Sequence, residues 1–517
     1  MKKLFFLFCI SFASNFLQAQ TIPFNIQKSD VFEDKYKHSK IVLAENDGTG
    51  GVIIVRHYKG GIFSSGIGYY FEHYNSEMKL IKESDYPMKF SDFERQSSVL
   101  GIILDNDKIH IVDFLYNQNE KAYICSANTA NISDFKFDKN ELFRIKSEEI
   151  KQSSSFFTMG QLDGDSGATM IMNEDRSAFA ITIDLKNAQI ESHQLFLFDK
   201  QLNKKIDHVF KREIKDRKFS YENIDVSKDG NTLYLLGKVY TNEAKKKKEG
   251  GKYQFELTRI TKDSEKTQVF DTDEHFSGSL KTIIFEDRLT CIGFFSDRND
   301  SRYKGISYFE LDPGTLEIRK SRFNLFTEQF MIDKYGKDKD KELRNLSFRK
   351  ILITPNNEIV FNAEEFYVTT NYHYSPNGGS STSTSYHYDD IVSAKISISG
   401  DLAWARNINK RQATSGDDSY ISYTSTVKDN NVYFFINTGE KVRKLRNDRI
   451  QFGQTSTKRS NLNIIRINQD GDFEYQEILD DKENEVPFMV SEGVLSNNSV
   501  FFIGRKGKKK QLLKISL

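Results

Sequence analysis

Asn223-Ile-Asp-Val-Ser-Lys-Asp-Gly-Asn-Thr-Leu-Tyr-Leu-Leu-Gly-Lys-Val-Tyr240 is the stretch that decides the fold. An apolar run ends at the tight-turn signal Asp229-Gly230-Asn231, and a second β-rich run follows from Leu233. This order is typical of two strands joined by a hairpin. The same arrangement recurs seven more times, at Asp47-Gly48, Asn106-Asp107, Glu174-Asp175, Glu286-Asp287, Asn356-Asn357, Asn430-Asn431 and Asn497-Asn498.

A second turn signal follows in seven of these units, each time after another apolar run. The unit is therefore a meander of about four strands, and eight units cover nearly all of the chain. Four-stranded units repeated around an axis are typical of a β-propeller, so we predict an all-β propeller with eight four-stranded blades, or seven as the alternative. The second turns are Asn75-Ser76, Lys139-Asn140, Gln201–Asn203, Lys262-Asp263, Asp312-Pro313-Gly314, Gly400-Asp401 and Asp470-Gly471-Asp472.

Blades that stack face to face bury their inner strands on both sides, which predicts apolar runs without alternation. Leu195–Phe198 and Val432–Ile436 have this pattern, whereas Tyr253–Leu257 and Leu513–Leu517 alternate as outer strands would. The last unit has room for only three strands. We predict that Ile22–Ile26, which also alternates, pairs with the C-terminal blade as its outer strand and closes the ring.

The N-terminus has the parts of a secretory signal: Lys2 and Lys3, an apolar run over Leu4–Phe12, and the small residue Ala19. Cleavage there leaves residues 20–517 as one propeller domain. Because of this signal, we expect export to the periplasm or the cell surface. No later stretch approaches the roughly 20 apolar residues of a membrane-spanning helix, so the mature chain should not span a bilayer. With 74 basic and 73 acidic residues, the composition disfavours nucleic-acid binding.

Insertions interrupt the repeat near residues 327–346 and 372–388. Thr327–Tyr335 predicts a short helix with Thr327 as its N-cap and Gly336 as its terminator. The tetralysine Lys245–Lys248 is most simply a solvated hairpin tip. Cys125 and Cys291 each lie inside a strand-like apolar run, which predicts buried free thiols.

Sequence motifs give little support for catalysis. Gly164-Asp165-Ser166-Gly167 resembles the nucleophile segment of trypsin-like serine proteases, but the histidine and aspartate surroundings of that family are missing. The zincin, P-loop and hydrolase-elbow motifs are absent from the sequence. We therefore predict no catalytic residue, metal site or cofactor.

The most distinctive local feature is a mirror-image pair of segments around a small-residue stretch that contains Asn377-Gly378-Gly379. A hairpin centred on Ser380 would place His373 opposite His387. Cross-strand stacking is the simplest interpretation, and a partner-binding aromatic patch is the main alternative; a metal site at the two histidines is least favoured. The candidate binding residues are Tyr372, His373, Tyr374, Tyr386, His387 and Tyr388.

Asn223–Tyr240, together with Ile391–Arg406, resembles uncharacterised exported β-propeller-like proteins of Bacteroidetes-type bacteria. The resemblance covers most of the mature chain and implies the propeller fold, without an activity or catalytic residues. We predict a non-catalytic binding or scaffolding propeller of the cell envelope whose partner is an envelope protein or a glycan. The alternative is an enzyme that acts on carbohydrate through carboxylates at the central channel.

Overall fold

The computed structural model describes residues 22–60, 66–88, 94–147, 167–185, 191–215, 218–240, 253–270, 275–296, 302–339, 341–374, 380–439, 442–456, 460–482 and 484–517. Strands in these ranges form eight sheets, antiparallel except for one short parallel pair in the sixth, accompanied by a single α-helix. The predicted all-β propeller is confirmed, with eight blades rather than seven. The signal segment, the tetralysine and residues 164–166 lie outside the described residues.

The first two strands, β1 (Asn25–Lys28) and β2 (Phe32–Glu33), belong to the last blade. Blade 1 consists of β3 (His38–Asn46), β4 (Val52–Lys59), β5 (Ile67–Tyr74) and β6 (Leu80–Pro87). Blade 2 consists of β7 (Glu94–Asp105), β8 (Lys108–Asn117), β9 (Ala122–Asn131) and β10 (Asp138–Lys146). Blade 3 consists of β11 (Ala168–Met172), β12 (Ala178–Asp184), β13 (Glu191–Asp199) and β14 (Lys204–Arg212). Blade 4 consists of β15 (Phe219–Val226), β16 (Leu233–Tyr240), β17 (Tyr253–Ile260) and β18 (Glu265–Phe270).

Blade 5 consists of β19 (Phe276–Ser277), β20 (Lys281–Phe285), β21 (Arg288–Ser296), β22 (Gly305–Leu311) and β23 (Ile318–Leu325), and α1 (Glu328–Tyr335) follows it. Blade 6 consists of β24 (Leu346–Ile353), β25 (Ile359–Tyr374), β26 (Ser380–Ile396) and β27 (Leu402–Lys410), with β28 (Gln412–Thr414) paired to β26. Blade 7 begins with β29 (Thr424–Lys428) and β30 (Asn431–Thr438); the short strands β31 (Arg443–Lys444) and β32 (Ile450–Phe452) then join the edge of blade 6. Blade 7 ends with β33 (Asn461–Ile467) and β34 (Phe473–Leu479), and a 3-10 turn over Val490–Glu492 leads to blade 8, which consists of β35 (Val494–Ser496), β36 (Ser499–Lys506), β37 (Lys509–Ser516) and β1.

The hydrophobic core is divided into eight clusters, and each cluster lies between two neighbouring blades. Leu195–Phe198 in β13 and Val432–Ile436 in β30 are buried on both faces, as their unbroken apolar pattern predicts. They are middle strands of their blades. Cys125 and Cys291 are buried free thiols in the same core, which confirms the sequence prediction.

The prediction that Tyr253–Leu257 and Leu513–Leu517 form outer strands was wrong. They belong to β17 and β37, the third strands of their blades, and the outer strands are β18 and β1. The polar position Glu256 in β17 is buried, with its carboxylate 2.7 Å from the guanidinium of Arg212 in blade 3. A buried carboxylate paired with the 37% exposed Arg212 of another blade thus imitates the alternation of a solvent-exposed strand.

The two chain ends meet in blade 8, as predicted. Asn25 pairs with Ser516, and Lys28 pairs with Leu513, so β1 is the outer strand of the C-terminal blade. The strand begins three residues later than predicted, while Ile22 packs into the core between blades 7 and 8. Because another cluster joins blade 8 to blade 1, the ring is closed by both hydrogen bonds and apolar contact.

Antiparallel pairing divides the connections between two faces of the ring. Turns from first to second strands and from third to fourth strands lie on one face, here called the turn face. Connections from second to third strands and between blades lie on the opposite face, here called the loop face. One predicted turn was wrong, because Lys139 and Asn140 lie inside β10, and the residues between β9 and β10 make the turn instead.

The loop face carries the irregular elements, including α1, β28, β31 and β32. The helix has the predicted ends: the side chain of Thr327 accepts a hydrogen bond from the Phe330 amide, and Gly336 adopts φ 77°. Ligand-binding groups are commonly found on loops held by a rigid scaffold. A ligand-binding site is therefore expected on the loop face or in the channel that it surrounds.

Truncating Ile22 tests the closure of the ring. This side chain is only 3% exposed in the core between blades 7 and 8. Ile22→Ala should lower the free energy of unfolding by about 2–4 kcal/mol, measured by urea denaturation, because it leaves a cavity in the core. The exposed Asn25→Ala, on the same segment, should change it little; equal effects from the two substitutions would argue against an anchored N-terminus.

Candidate functional site

The central channel is lined by the first strand of each blade. These strands lie at the ends of their sheets, so one backbone edge bonds to the second strand and the other faces the axis. Neighbouring first strands contact each other near the axis, for example β3 with β35 and β7 with β11. An edge strand presents unpaired N–H and C=O groups, which makes the channel wall a set of potential pairing sites for an extended chain.

One sector of the channel contains a cavity of about 410 Å³, here called the channel cavity. Its wall comes from the first strands of blades 8, 1, 2 and 3 and is mostly aliphatic. Val42, 37% exposed, is one of the apolar side chains that line it. The lining residues are Val42, Leu43, Ala44, Leu100, Gly101, Ile102, Met170, Met172, Asn173, Arg176, Val494 and Leu495.

Charged groups flank the channel cavity at its loop-face end. Glu492 lies two residues before the cavity residue Val494, and Lys40 lies two residues before Val42. Burial raises the pKa of Glu492 to about 7, although the positive charge of Lys40 opposes that shift. A carboxyl group that exchanges its proton near neutral pH is suited to general acid–base catalysis.

The first turn of blade 3 crosses the turn-face end of the channel. The guanidinium of Arg176 lies 2.6 Å from the carboxylate of Glu45 in blade 1. The Glu286 amide of blade 5 donates to Glu174 Oε2 of the same turn at 3.0 Å. Blades 1 and 5 are not direct neighbours of blade 3 in the ring. The turn therefore reaches past blades 2 and 4 and narrows this end of the channel.

The opposite wall of the channel is polar. Asn223 in β15 donates to the carbonyl of Thr282 in β20 and accepts from its amide, and Asp225 accepts from the Ile284 amide at 2.8 Å. These bonds occupy the channel-facing edge of β20. In blade 6, burial lowers the pKa of Lys350 to about 8, and its ammonium donates to the Ser425 carbonyl at 3.4 Å. These side chains of blades 4 and 6 are thus polar, whereas most residues that line the channel cavity are aliphatic.

The hairpin predicted around Ser380 has a different register. Tyr374 pairs with Ser380 and His373 with Ser381, so His387 lies opposite Tyr367 and not opposite His373. The tip, residues 375–379, lies outside the described residues, but the paired strand ends centre it three positions before Ser380. The prediction that His373 faces His387 is therefore wrong, and so is the interpretation of a metal site between them.

The candidate residues of this hairpin whose side chains are described lie in different surroundings. The ring of His387 stacks on Tyr367 at 4.4 Å, and Tyr372 is strongly exposed. Tyr386 lies opposite Val368. By contrast, the Tyr388 hydroxyl donates to Asp418 at 2.7 Å in the polar region near Glu492. Among the described residues, no group of three or more histidine, cysteine or carboxylate side chains could hold a metal ion.

The chain is similar to several proteins of known structure. The chain resembles the acylaminoacyl peptidase of Pyrococcus horikoshii at 10% identity and a TM-score of 0.35, covering 80% of this chain and 50% of that one. It resembles the β-propeller domain of the Trilobed protease of Pyrococcus furiosus at 10% identity and a TM-score of 0.33, covering 71% and 93%. Prolyl oligopeptidase B of Galerina marginata matches at 11% identity with a TM-score of 0.38, covering 90% and 55%. The chain thus spans about half the length of the acylaminoacyl peptidase and of the oligopeptidase.

No family model and no curated protein matches the chain. At 9–11% identity the structural likeness is one of fold. The three matches described above are peptidases or a domain of one, and this finding overturns the predicted non-catalytic binding or scaffolding propeller of the cell envelope. The carbohydrate-directed enzyme, its alternative, is dropped with it.

The wall formed by β15 and β20 makes stability depend on pH. Burial raises the pKa of Asp225 to about 7, so the folded protein retains this proton after the unfolded chain, with a pKa of about 4, has lost it. Stability should therefore fall as pH rises from about 4 to about 7. Asp225→Asn should flatten that slope in urea denaturation across the range, whereas the exposed Asp263→Asn should leave it unchanged. An unaltered slope in Asp225→Asn would refute this assignment.

Proposed function

We propose that this chain takes part in the hydrolysis of peptides and holds an extended peptide in its central channel. The channel cavity carries the proposal, because a space of about 410 Å³, lined mostly by aliphatic residues, is bordered by strand edges. Extended peptides bind strand edges through their backbones, while pockets accept their side chains. Its volume falls within the usual range of ligand pockets, roughly 300–1,000 Å³.

The ends of the channel cavity favour entry from the loop face. At the turn face, the guanidinium of Arg176 in blade 3 lies 2.6 Å from the carboxylate of Glu45 in blade 1, and this ion pair narrows the channel. At the loop face, Lys40 and Glu492 lie beside the mouth, where a peptide bond can meet a group able to exchange protons near neutral pH. We propose that an apolar side chain of the peptide enters the channel cavity first. Glu492 then exchanges a proton with the neighbouring peptide bond as water is added to it.

Export to the cell envelope is part of the proposal. Lys2, Lys3 and the apolar run Leu4–Phe12 support a cleaved signal, as does the resemblance to exported propeller-like proteins of Bacteroidetes-type bacteria. No helix in the described parts of the chain is long and apolar enough to cross a membrane. Peptides of the envelope are then the available substrates.

Placing a charge in the channel cavity tests peptide binding. Val42→Lys should weaken the binding of a capped, leucine-containing peptide at least roughly tenfold in isothermal titration calorimetry, because an ammonium would occupy the apolar space. Val209→Lys is the matched control, since Val209 is 40% exposed on the outer strand β14 and Val42 is 37% exposed in the channel. Equal binding by the wild type and Val42→Lys would contradict binding in this cavity.

The role of Glu492 is tested by hydrolysis. Mass spectrometry of unstructured peptides incubated with the wild type should detect cleavage whose rate changes most steeply near pH 7. Glu492→Gln should abolish cleavage and leave peptide binding intact, because it removes the exchangeable proton and retains the shape of the side chain. Cleavage by Glu492→Gln at the wild-type rate would exclude this residue, and intact peptides with the wild type would exclude hydrolysis.

A further inference from the structure

A second cavity, of about 420 Å³, opens on the loop face beside α1 and is here called the α1 pocket. Unlike the channel cavity, it is lined mainly by charged and polar side chains. Both of its carboxylates already have a cationic partner: Glu342 lies 3.1 Å from Arg302, and Glu365 lies 2.8 Å from Lys334. Lys334 also lies 2.7 Å from Asp390, so the excess charge is counted on the lining itself, where two carboxylates stand against the three cations Arg302, Lys341 and Arg344.

Two further cations line the α1 pocket. Within the described parts of the chain, neither Lys341 nor Arg344 forms an ion pair with a carboxylate. The Lys341 ammonium lies 4.6 Å from the centre of the Tyr335 ring, a cation–π contact that leaves its charge uncompensated. The pocket thus has an excess of positive charge that is suited to an anion.

The segment that carries these cations is held firmly. Leu343, between them, is 1% exposed in the core, and its amide and carbonyl both bond to Tyr303 at 2.9 and 2.7 Å. The carbonyl of Asn345 accepts from the Phe366 amide at 2.8 Å. Backbone bonds on both sides of Arg344 fix its backbone at the pocket, so only the exposed side chains of Lys341 and Arg344 have to be ordered on binding.

We propose that the α1 pocket binds the carboxylate of an acidic peptide through Lys341 and Arg344. A guanidinium can hold a carboxylate with two parallel hydrogen bonds, and an ammonium beside it adds a point charge. The proposal rests on the proposed function only in choosing a peptide as the carrier of the carboxylate. The carboxylate belongs either to an Asp or Glu side chain or to a free C-terminus.

The test uses three octapeptides with the same alanine, glycine and serine sequence, titrated into the whole protein by calorimetry. The first is capped at both ends, the second is capped and contains two glutamates, and the third has a free C-terminus. The second or third peptide should bind at least roughly tenfold more tightly than the first, and the preference should weaken with added salt. Whichever carboxylate peptide binds identifies the source.

Lys341→Ala/Arg344→Ala should remove that preference, while Lys506→Ala/Lys508→Ala should preserve it. The control pair also removes two exposed cations from the loop face, one at the end of β36 and one in the turn that follows it. Equal binding of all three peptides by the wild type, or equal losses in both double variants, would overturn the α1 pocket. Since Val42→Lys reports separately on the channel cavity, either site can fail while the other stands.

Discussion

Burial of both faces of the middle strands is the constraint on which this structure depends. A single blade cannot meet it, because each of its faces needs a neighbour, and a row of blades would leave two faces exposed. The ring meets it at eight interfaces, and the last of these joins Phe501 and Ile503 of blade 8 to Ile54 of blade 1. Pairing of β1 with β37 links the two chain ends across that closing blade.

The channel follows from the same constraint. Radial sheets must end at the axis, so every first strand keeps one edge that no neighbour in its own sheet can satisfy. The protein treats these edges in two ways. Between blades 4 and 5, Asn223 and Asp225 bond to the backbone of β20. In blades 8, 1, 2 and 3, aliphatic side chains such as Met170 border an open space instead.

The architecture was predictable because turns and apolar runs are local features. Asp229-Gly230-Asn231 and its seven counterparts mark the first hairpin of every blade, and the short last unit indicated the need for a closing strand. Predictions failed where a distant partner decides the outcome. Glu256 made a buried strand alternate because Arg212 comes from another blade. The register of the β25–β26 hairpin is set along the whole pairing, from Ile359 with Ile396 to Tyr374 with Ser380, and not by the symmetry of its tyrosines.

The candidate sites left no motif because several blades build each of them. The channel cavity takes one to three residues from each of several strands, and none of those short groups differs from an ordinary core sequence. The proton affinity of Glu492 depends on burial, which only the folded ring supplies.

The loop between blades 6 and 7 shows how that burial is produced. Asp417 pairs with Arg505 of blade 8, and the Tyr420 hydroxyl donates to the Arg505 carbonyl. Ser491, next to Glu492, bonds to the carbonyl of Ser419 through both its amide and its hydroxyl. This loop therefore ties blade 6 to blade 8 across blade 7 and lies beside Glu492. In this region, the contacts that join the blades of the ring are largely the same as those that surround Glu492 at the channel mouth.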